Sequence, residues 1–430
     1  MLTMNKSIAD GDNLILAESP EAVDVANRDF YSRFPYPWPP MSFPRLEDPD
    51  FEAIMLNQSI GDFDHRTIPA DAKIWIAGCG ANQAVYTALR FPRATILGSD
   101  LSPTSLATTE RNAKTLGITN LTLRQESLND VTYREEFDYI MNTGVITIMP
   151  VPEKPLSNIA RALRPNGVLE LMVYNRFHRT FTTAFQKAVR TITRHKGRVS
   201  SYEEELAVAK AIAATEPMAS SHHMWPFRNV HDSKFADALI QPVELSYTVE
   251  SLNALVSGCG LELMLPSYDQ FSQSMNALWT MKFSTGELQE QFDALPDVIR
   301  WQVANLLLLD KSPLLWFYVR HRSSEPDARF EVSVREEFLN RRFVRARTGL
   351  TNFVRKATDL NYKPASSATN YPFTPKADLI RDIVERTDGS LKMRDILSDL
   401  GVDTTDHKVV TDIRVQTTTS LCPQLRAVQA

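Results

Sequence analysis

In the stretch KIWIAGCGANQ, Lys73 to Gln83, an apolar run is cut by Gly78 and Gly80 on either side of Cys79. A glycine turn between a buried strand and a helix lets a ligand come close to the backbone. A second apolar run, ATILGSD, ends on Asp100. An acid after the second strand of a nucleotide-binding sheet lies where a ribose diol is held. A carboxylate can accept hydrogen bonds from both hydroxyls, so the residue type suits the task. Together these residues point to a nucleoside-containing ligand.

They do not choose between a dinucleotide and S-adenosylmethionine. The third glycine of the dinucleotide fingerprint G-x-G-x-x-G is missing, because Gly80 is followed by Ala81-Asn82-Gln83. No lysine follows to hold phosphate, which excludes a P-loop. Cys79 reads as a small turn residue before it reads as a nucleophile. His178, His222, His223 and His231 are candidate bases for an acceptor that must lose a proton. SSHHMWPF raises a metal reading through His222 and His223. Adjacent side chains point apart and nothing nearby completes a ligand set, so no metal is expected. Tyr36, Trp38, Tyr174 and Trp225 could form an aromatic acceptor wall or plain core.

The elements that must position these groups follow from periodicity. KIWIAG, ATILGSD, NLTLRQES, FDYIMNTG and VLELMVYN read as strands. Helices alternate with them. SPTSLATTERNAKTLG has Ser102 as N-cap, Pro103 at the first helical position and Gly117 as the stop. Strands alternating with helices imply a parallel sheet covered on both faces.

From Arg176 to Arg198 the chain is basic, with an expected apolar stripe of Phe181, Ala184, Phe185, Ala188, Val189 and Ile192. YTVESLNALVSGCG reads as a helix capped by Thr248. LELMLPSYDQ and PLLWFYVRH are expected late strands. Residues 323–372 look irregular and basic. The run from Phe338 to Lys356 has six basic residues and no acid. It raises the nucleic-acid question, but a solvated face or linker is the expected reading. Near Pro375 to Gly401, two helices joined at Asp388-Gly389 faintly resemble a winged-helix module. Their mixed charge suits docking or homodimerisation better than DNA binding.

The chain has 430 residues, a formal net charge of -5 and three scattered cysteines. That suggests two or three domains, no global pull toward nucleic acid or membrane, and no disulfide framework. No apolar run reaches the roughly 18 residues of a spanning helix. A cytoplasmic enzyme is the expectation.

Between Lys73 and Tyr174 the sequence resembles a class I S-adenosylmethionine-dependent methyltransferase. IAGCGANQ resembles the glycine motif of the branch that reads IAGCGTGQ. ILGSDLS resembles the ribose-acid motif, and LRQESLND the segment that meets adenine. FDYIMNTGVITIM and ALRPNGVLELMVYNRFHR resemble the blocks around strands four and five. FPYPWPP resembles an NPYPRW-like arm, and IQPVELSYTVESLNALVSGCGLEL the later helix and strand.

The resemblance implies a Rossmann-like α/β fold: a mainly parallel sheet with helices on both faces, an inserted helical cap and a small C-terminal helical or winged-helix-like domain. The implied organisation is an aromatic, proline-rich arm over residues 1–70 and a methyltransferase domain over 71–322, with the cap at 176–245. A basic linker over 323–372 and the C-terminal domain over 373–430 follow. The implied cofactor residues are Gly78, Cys79, Gly80, Asn82, Gln83, Asp100, Leu101, Ser127, Leu128, Asn142, Thr143 and Gly144.

Ile76, Asn82 and Ser127 depart from the family pattern at cofactor-facing positions. Thr147 and Ile148 replace two histidines, so no catalytic histidine carries over. The acceptor is left unidentified, as a small molecule or a peptide or protein side chain. A nicotinamide-dependent oxidoreductase and an inactive binding protein on the same fold are the rival readings.

Overall fold

The computed structural model describes residues 14–15, 19–37, 40–268, 279–309, 311–323, 327–356, 361–365 and 369–429. Trp38, the end of one expected strand at Asp269 and Gln270, and most of the first 18 residues lie outside them.

The chain enters through α1 (Pro20–Arg33), capped by the Ser19 hydroxyl with proline in the first turn. Next come β1 (Ser42–Leu46) and α2 (Phe51–Ser59), which is buried along its whole length. Then the alternation begins: β2 (Lys73–Ala77), α3 (Gln83–Arg90), β3 (Thr95–Asp100), α4 (Pro103–Thr115), β4 (Leu121–Gln125) and β5 (Phe137–Thr143). It continues through α5 (Glu153–Ala162) to β6 (Leu163–Asn175). As expected, Ser102 caps α4 by accepting from the Ser105 amide at 3.2 Å.

Strand order across the sheet is β4-β3-β2-β5-β6, all parallel. The chain runs outward from β2 to β4, then returns to the other side of β2 with β5. The carboxyl ends of β2 and β5 therefore form the topological switch point, where open α/β sheets bind ligands. Successive residues of β2 serve two cores: Trp75 and Ala77 on one face, Ile74 and Ile76 on the other. That is the pattern of a central strand buried on both sides.

After β6 come α6 (Arg176–Thr193), α7 (Tyr202–Ala213) and α8 (Asp232–Leu239), the inserted segment. It packs on α1, with Phe30 and Phe34 against Phe185, Val189, Leu206 and Leu239 in one cluster. The expected stripe on α6 needs correction. Ile192 is 58% exposed, while Arg179, Gln186 and Arg190 are buried. Arg179 pairs with Glu244, and Arg190 and Arg194 both pair with Glu205. Arg179, Arg190 and Arg194 are thus directed inward to buried carboxylates.

The helix α9 (Val249–Gly258) starts with a reciprocal capping box of Thr248 and Ser251. Two late strands, β7 (Leu261–Pro266) and β8 (Leu314–His321), add antiparallel to the edge in the order β6-β8-β7.

Residues 323–372, expected to be an irregular linker, are largely built into elements. They hold α10 (Phe330–Asn340), β9 (Arg342–Arg345) and β10 (Thr348–Val354). β10 pairs antiparallel with β1, from Leu350 opposite Leu46 to Val354 opposite Ser42. Its partner lies some 300 residues away in sequence, so no local pattern announces the strand. Arg341 pairs with Asp64 and Glu337, and Arg345 donates to the Val384 and Glu385 carbonyls.

The C-terminal part is α11 (Asp378–Arg386), β11 (Asp388–Lys392), α12 (Met393–Asp399), α13 (His407–Thr418) and β12 (Leu425–Ala427). The expected turn at Asp388-Gly389 is the start of β11, which pairs with β9. Gln58 of α2 donates to the Thr418 and Leu425 carbonyls and accepts from the Ala427 amide. This region therefore shares a core with the first elements of the chain. Among the described residues, no helix is long and apolar enough to cross a membrane.

Candidate functional site

The glycine turn after β2 has Gly78 at φ +86° and Gly80 at φ +54°, a region that favours glycine. The Gly78 and Cys79 amides both donate to the Ser99 carbonyl at 2.8 Å, which ties the turn to β3. The Gly80 amide donates to Asp100 Oδ2 at 2.9 Å, and the Ser102 amide to Oδ1 at 2.8 Å. Burial raises the Asp100 carboxyl above its ordinary range, while these amides pull it down. Cys79 is 1% exposed, and burial followed by the Asp100 charge pushes its thiol well up. It is a neutral packing group, which fits the turn-residue reading.

A Cβ on Gly80 would sit 2.7 Å from the Tyr36 carbonyl oxygen, and one on Gly78 2.3 Å from a Val145 methyl. The close approach at Gly80 is thus made by the aromatic arm. Ala81 donates to Tyr36 O at 3.3 Å, and Asn82 Nδ2 to Pro37 O at 2.9 Å. Asn82, which replaces the family's small residue, anchors the arm on the turn.

At the end of β5, Asn142 Nδ2 donates to the Ala77 carbonyl at 2.9 Å, while its Oδ1 is buried without a hydrogen-bond partner. Thr143 donates to Gln83 Oε1 at 2.8 Å, across the switch point. Gly144 has φ +76° and donates to Met172 O at 3.0 Å. The turn residues, Asp100 and Asn142 to Gly144 are therefore brought together. Leu101 is partly exposed beside them. Leu128 is buried in the core with Trp75 and Leu97.

Ser127 has a partner that sequence reasoning missed. Its hydroxyl bonds to the Asp24 carboxylate of α1, and Asn129 Nδ2 reaches both Asp24 oxygens at 3.3 Å. An acid from a helix 103 residues upstream therefore holds Ser127. No local signal could have named it. Along the same face of α1, Asn27 donates to Ile148 O at 3.0 Å and Tyr31 to Asp237 Oδ1 at 2.9 Å. The helix closes over the carboxyl edge of the sheet.

The expected aromatic wall is assembled in part. Tyr36 and Tyr174 lie together with Tyr31, Asp237 and Arg179. The Arg179 guanidinium lies over the Tyr174 ring at 4.5 Å. Trp225, by contrast, is 62% exposed. The expectation that His222 and His223 point apart needs correction: their ring centroids lie 3.8 Å apart, with His223 stacked on Phe181, while His231 Nδ1 caps α8. Among the described residues, no group of three or more His, Cys, Asp or Glu could hold a metal.

Residues 74–213 match the family model described as a methyltransferase domain. An uncharacterized protein of Synechococcus sp. is 26% identical over 374 residues, which cover 84% of this chain and 87% of the relative. In fold the chain is similar to PKMT2 from Rickettsia typhi (TM-score 0.54, 14% identity, 91% of this chain and 77% of that one). It is similar also to PKMT2 in complex with AdoHcy (TM-score 0.55, 13% identity, 88% and 76%). Residues 74–213 thus match a methyltransferase domain, carried on a Rossmann-like α/β sheet, and methyl transfer from S-adenosylmethionine is the reaction that this match supports.

Proposed function

We propose that S-adenosylmethionine binds across the carboxyl ends of β2, β3 and β5 and that Asp100 holds its ribose. The observation that carries this reading is Asp100 itself, fixed at the switch point by the amides of Gly80 and Ser102. Two of the roughly four lone-pair sites of a carboxylate are used there, which leaves the others for a diol. Leu101 borders the adenine on its apolar side, with Ser127 at its edge and Leu128 as the packing beneath. Gly78 to Gln83 and Asn142 to Gly144 line the methionine end, where the buried Asn142 oxygen can accept from an amino group. The binding of AdoHcy by PKMT2 on a similar fold supports this assignment.

S-adenosylmethionine supplies a methyl group on a sulfonium, which is already electrophilic. The residues of this chain contribute proximity and alignment. Asp24, Asn27 and Tyr31 on α1 close the site, and the arm at Tyr36 and Pro37 walls it beside the glycine turn. The acceptor is a small molecule or a peptide or protein side chain. Against a nucleic acid stands the use of Arg179, Arg190, Arg341 and Arg345 in internal pairs and caps.

The test is calorimetric titration with S-adenosylhomocysteine, with NAD alongside and Asp100→Ala as control. Micromolar binding of the nucleoside, silence of NAD and a loss of about 100-fold in the variant are expected, since one carboxylate to two hydroxyls is worth roughly 3 kcal/mol. Tight NAD binding, or an unchanged affinity in Asp100→Ala, would overturn the reading.

A further inference from the structure

We infer that the outer face of the helix Asp297–Leu308 pairs two copies of this chain about a two-fold axis. The polarity of this helix is inverted relative to a solvated surface helix. Its two charged residues, Asp297 and Arg300, are buried, while Ile299, Leu306 and Leu307 point outward and are 46%, 47% and 57% exposed. At about 100° per residue, these three and the partly exposed Val303 fall within one stripe about 100° wide. Leu309, 49% exposed, follows at the helix end with φ +42°, a backbone region that leucine rarely adopts.

The helix is locked in this orientation. Arg300 pairs with Asp297 and, at 2.9 Å, with Glu331 of α10, and Asp297 accepts from the Glu331 amide at 2.8 Å. Asn305 donates to Asn175 Oδ1 at the end of β6 at 3.2 Å and accepts from the Val249 amide at 3.3 Å. Trp301 is buried against Phe317 of β8. Rolling the helix to hide its leucines would break all of these contacts and strand buried charge. The outward leucines are therefore a fixed surface. Half-exposed aliphatic side chains in this number make a patch of roughly 300 Å², the size that marks an interaction site.

Charge identifies the occupant as a second copy. A helix that lies on lipid carries Lys or Arg along its polar face, and the one arginine of this helix is buried in ion pairs. The stripe itself holds no charge, so a copy of it can face it without like charges meeting. Two exposed charges of opposite sign flank it at different heights. Glu250 lies where its amide donates to Gln302 Oε1 at 2.6 Å, and Lys311 where its amide donates to the Leu308 carbonyl at 2.8 Å. Antiparallel pairing brings Lys311 of each copy toward Glu250 of the other. It also sets each helix C-terminus beside the other copy's N-terminus, which the helix dipoles favour. A standard interface takes about 800 Å² from each partner. The leucine stripe supplies its apolar core and the charged flanks its rim.

The test is sedimentation velocity of the full chain from about 1 to about 100 μM, with circular dichroism as the folding control. A species of twice the 48.6 kDa chain mass is expected, with a dissociation constant in the micromolar range. Leu307→Glu should weaken association at least about 100-fold and leave the circular dichroism unchanged, because the side chain points outward. Ile192→Glu, at an exposed position on α6, should leave the dimer intact. Glu250→Lys and Lys311→Glu should each weaken association about fivefold, and the two together should restore it. A chain that stays monomeric at the highest concentration, or a dimer that Leu307→Glu and the charge reversals all leave untouched, would overturn the inference. A monomer that binds anionic vesicles, and loses them in Leu307→Glu, would assign the stripe to a lipid surface and overturn it equally.

Discussion

Replacing Gly80 with alanine tests whether the arm is seated on the glycine turn. Two costs are separable. The first is backbone strain: an alanine at φ +54° loses about 1–2 kcal/mol relative to glycine. The second is contact. The new Cβ would stand 2.7 Å from the Tyr36 carbonyl oxygen, which is main chain and cannot rotate away. Moving the arm to relieve it strains the Ala81–Tyr36 and Asn82–Pro37 hydrogen bonds, each worth about 1 kcal/mol. Gly117→Ala is the internal control. Gly117 has φ +64°, and nothing lies within 4 Å of its added Cβ, so it carries the strain alone. Urea unfolding should show a loss of about 1 kcal/mol for Gly117→Ala and about 3 kcal/mol for Gly80→Ala at constant m-value. S-adenosylhomocysteine affinity should fall about tenfold for Gly80→Ala only, because the arm walls the site. If the two variants lose the same stability, the arm does not press on Gly80 and the reasoning is wrong.

Two further outcomes concern buried charge. Arg179→Met strands Glu244 without its partner and should cost about 3–5 kcal/mol, while Arg179→Met combined with Glu244→Leu should recover most of it. Chemical unfolding that places the single and double variants level would sink this account of α6. The pH dependence of Asp237 has a definite sign. Its carboxyl rises from 3.8 to about 6 on folding, so the folded chain holds the proton more tightly. Its contribution to stability is therefore greatest in acid and falls between about pH 4 and pH 6, by up to about 3 kcal/mol. Asp237→Asn does not titrate, so its stability relative to the unaltered protein should grow over that range. Parallel stability curves for the two would show that the carboxyl is not desolvated.

The alternating core was legible because its signals are local. β2 ends where Gly78 must turn, α4 starts where Ser102 and Pro103 can start a helix, and β3 ends on Asp100. The Thr248 cap on α9 was equally plain. The α6 stripe was misjudged because hydrophobicity ranks arginine as a surface residue. Arg179 and Arg190 are inside because Glu244 and Glu205 wait there, and no periodicity carries that information. The strand β10 was missed because its partner β1 lies near the other end of the chain.

Sequence alone therefore determined the order of strands and helices from Lys73 to Tyr174 and the glycine turn with its acid. These depend on neighbours within a few residues, through capping, turn conformation and side-chain alternation. Tertiary structure alone decided what surrounds them. It laid α1 over the sheet so that Asp24 meets Ser127, pressed Tyr36 against Gly80, and set Tyr31 on Asp237, 206 positions away. Those contacts arise from burying the faces of whole elements against one another, and that energy has no address in any short stretch of sequence.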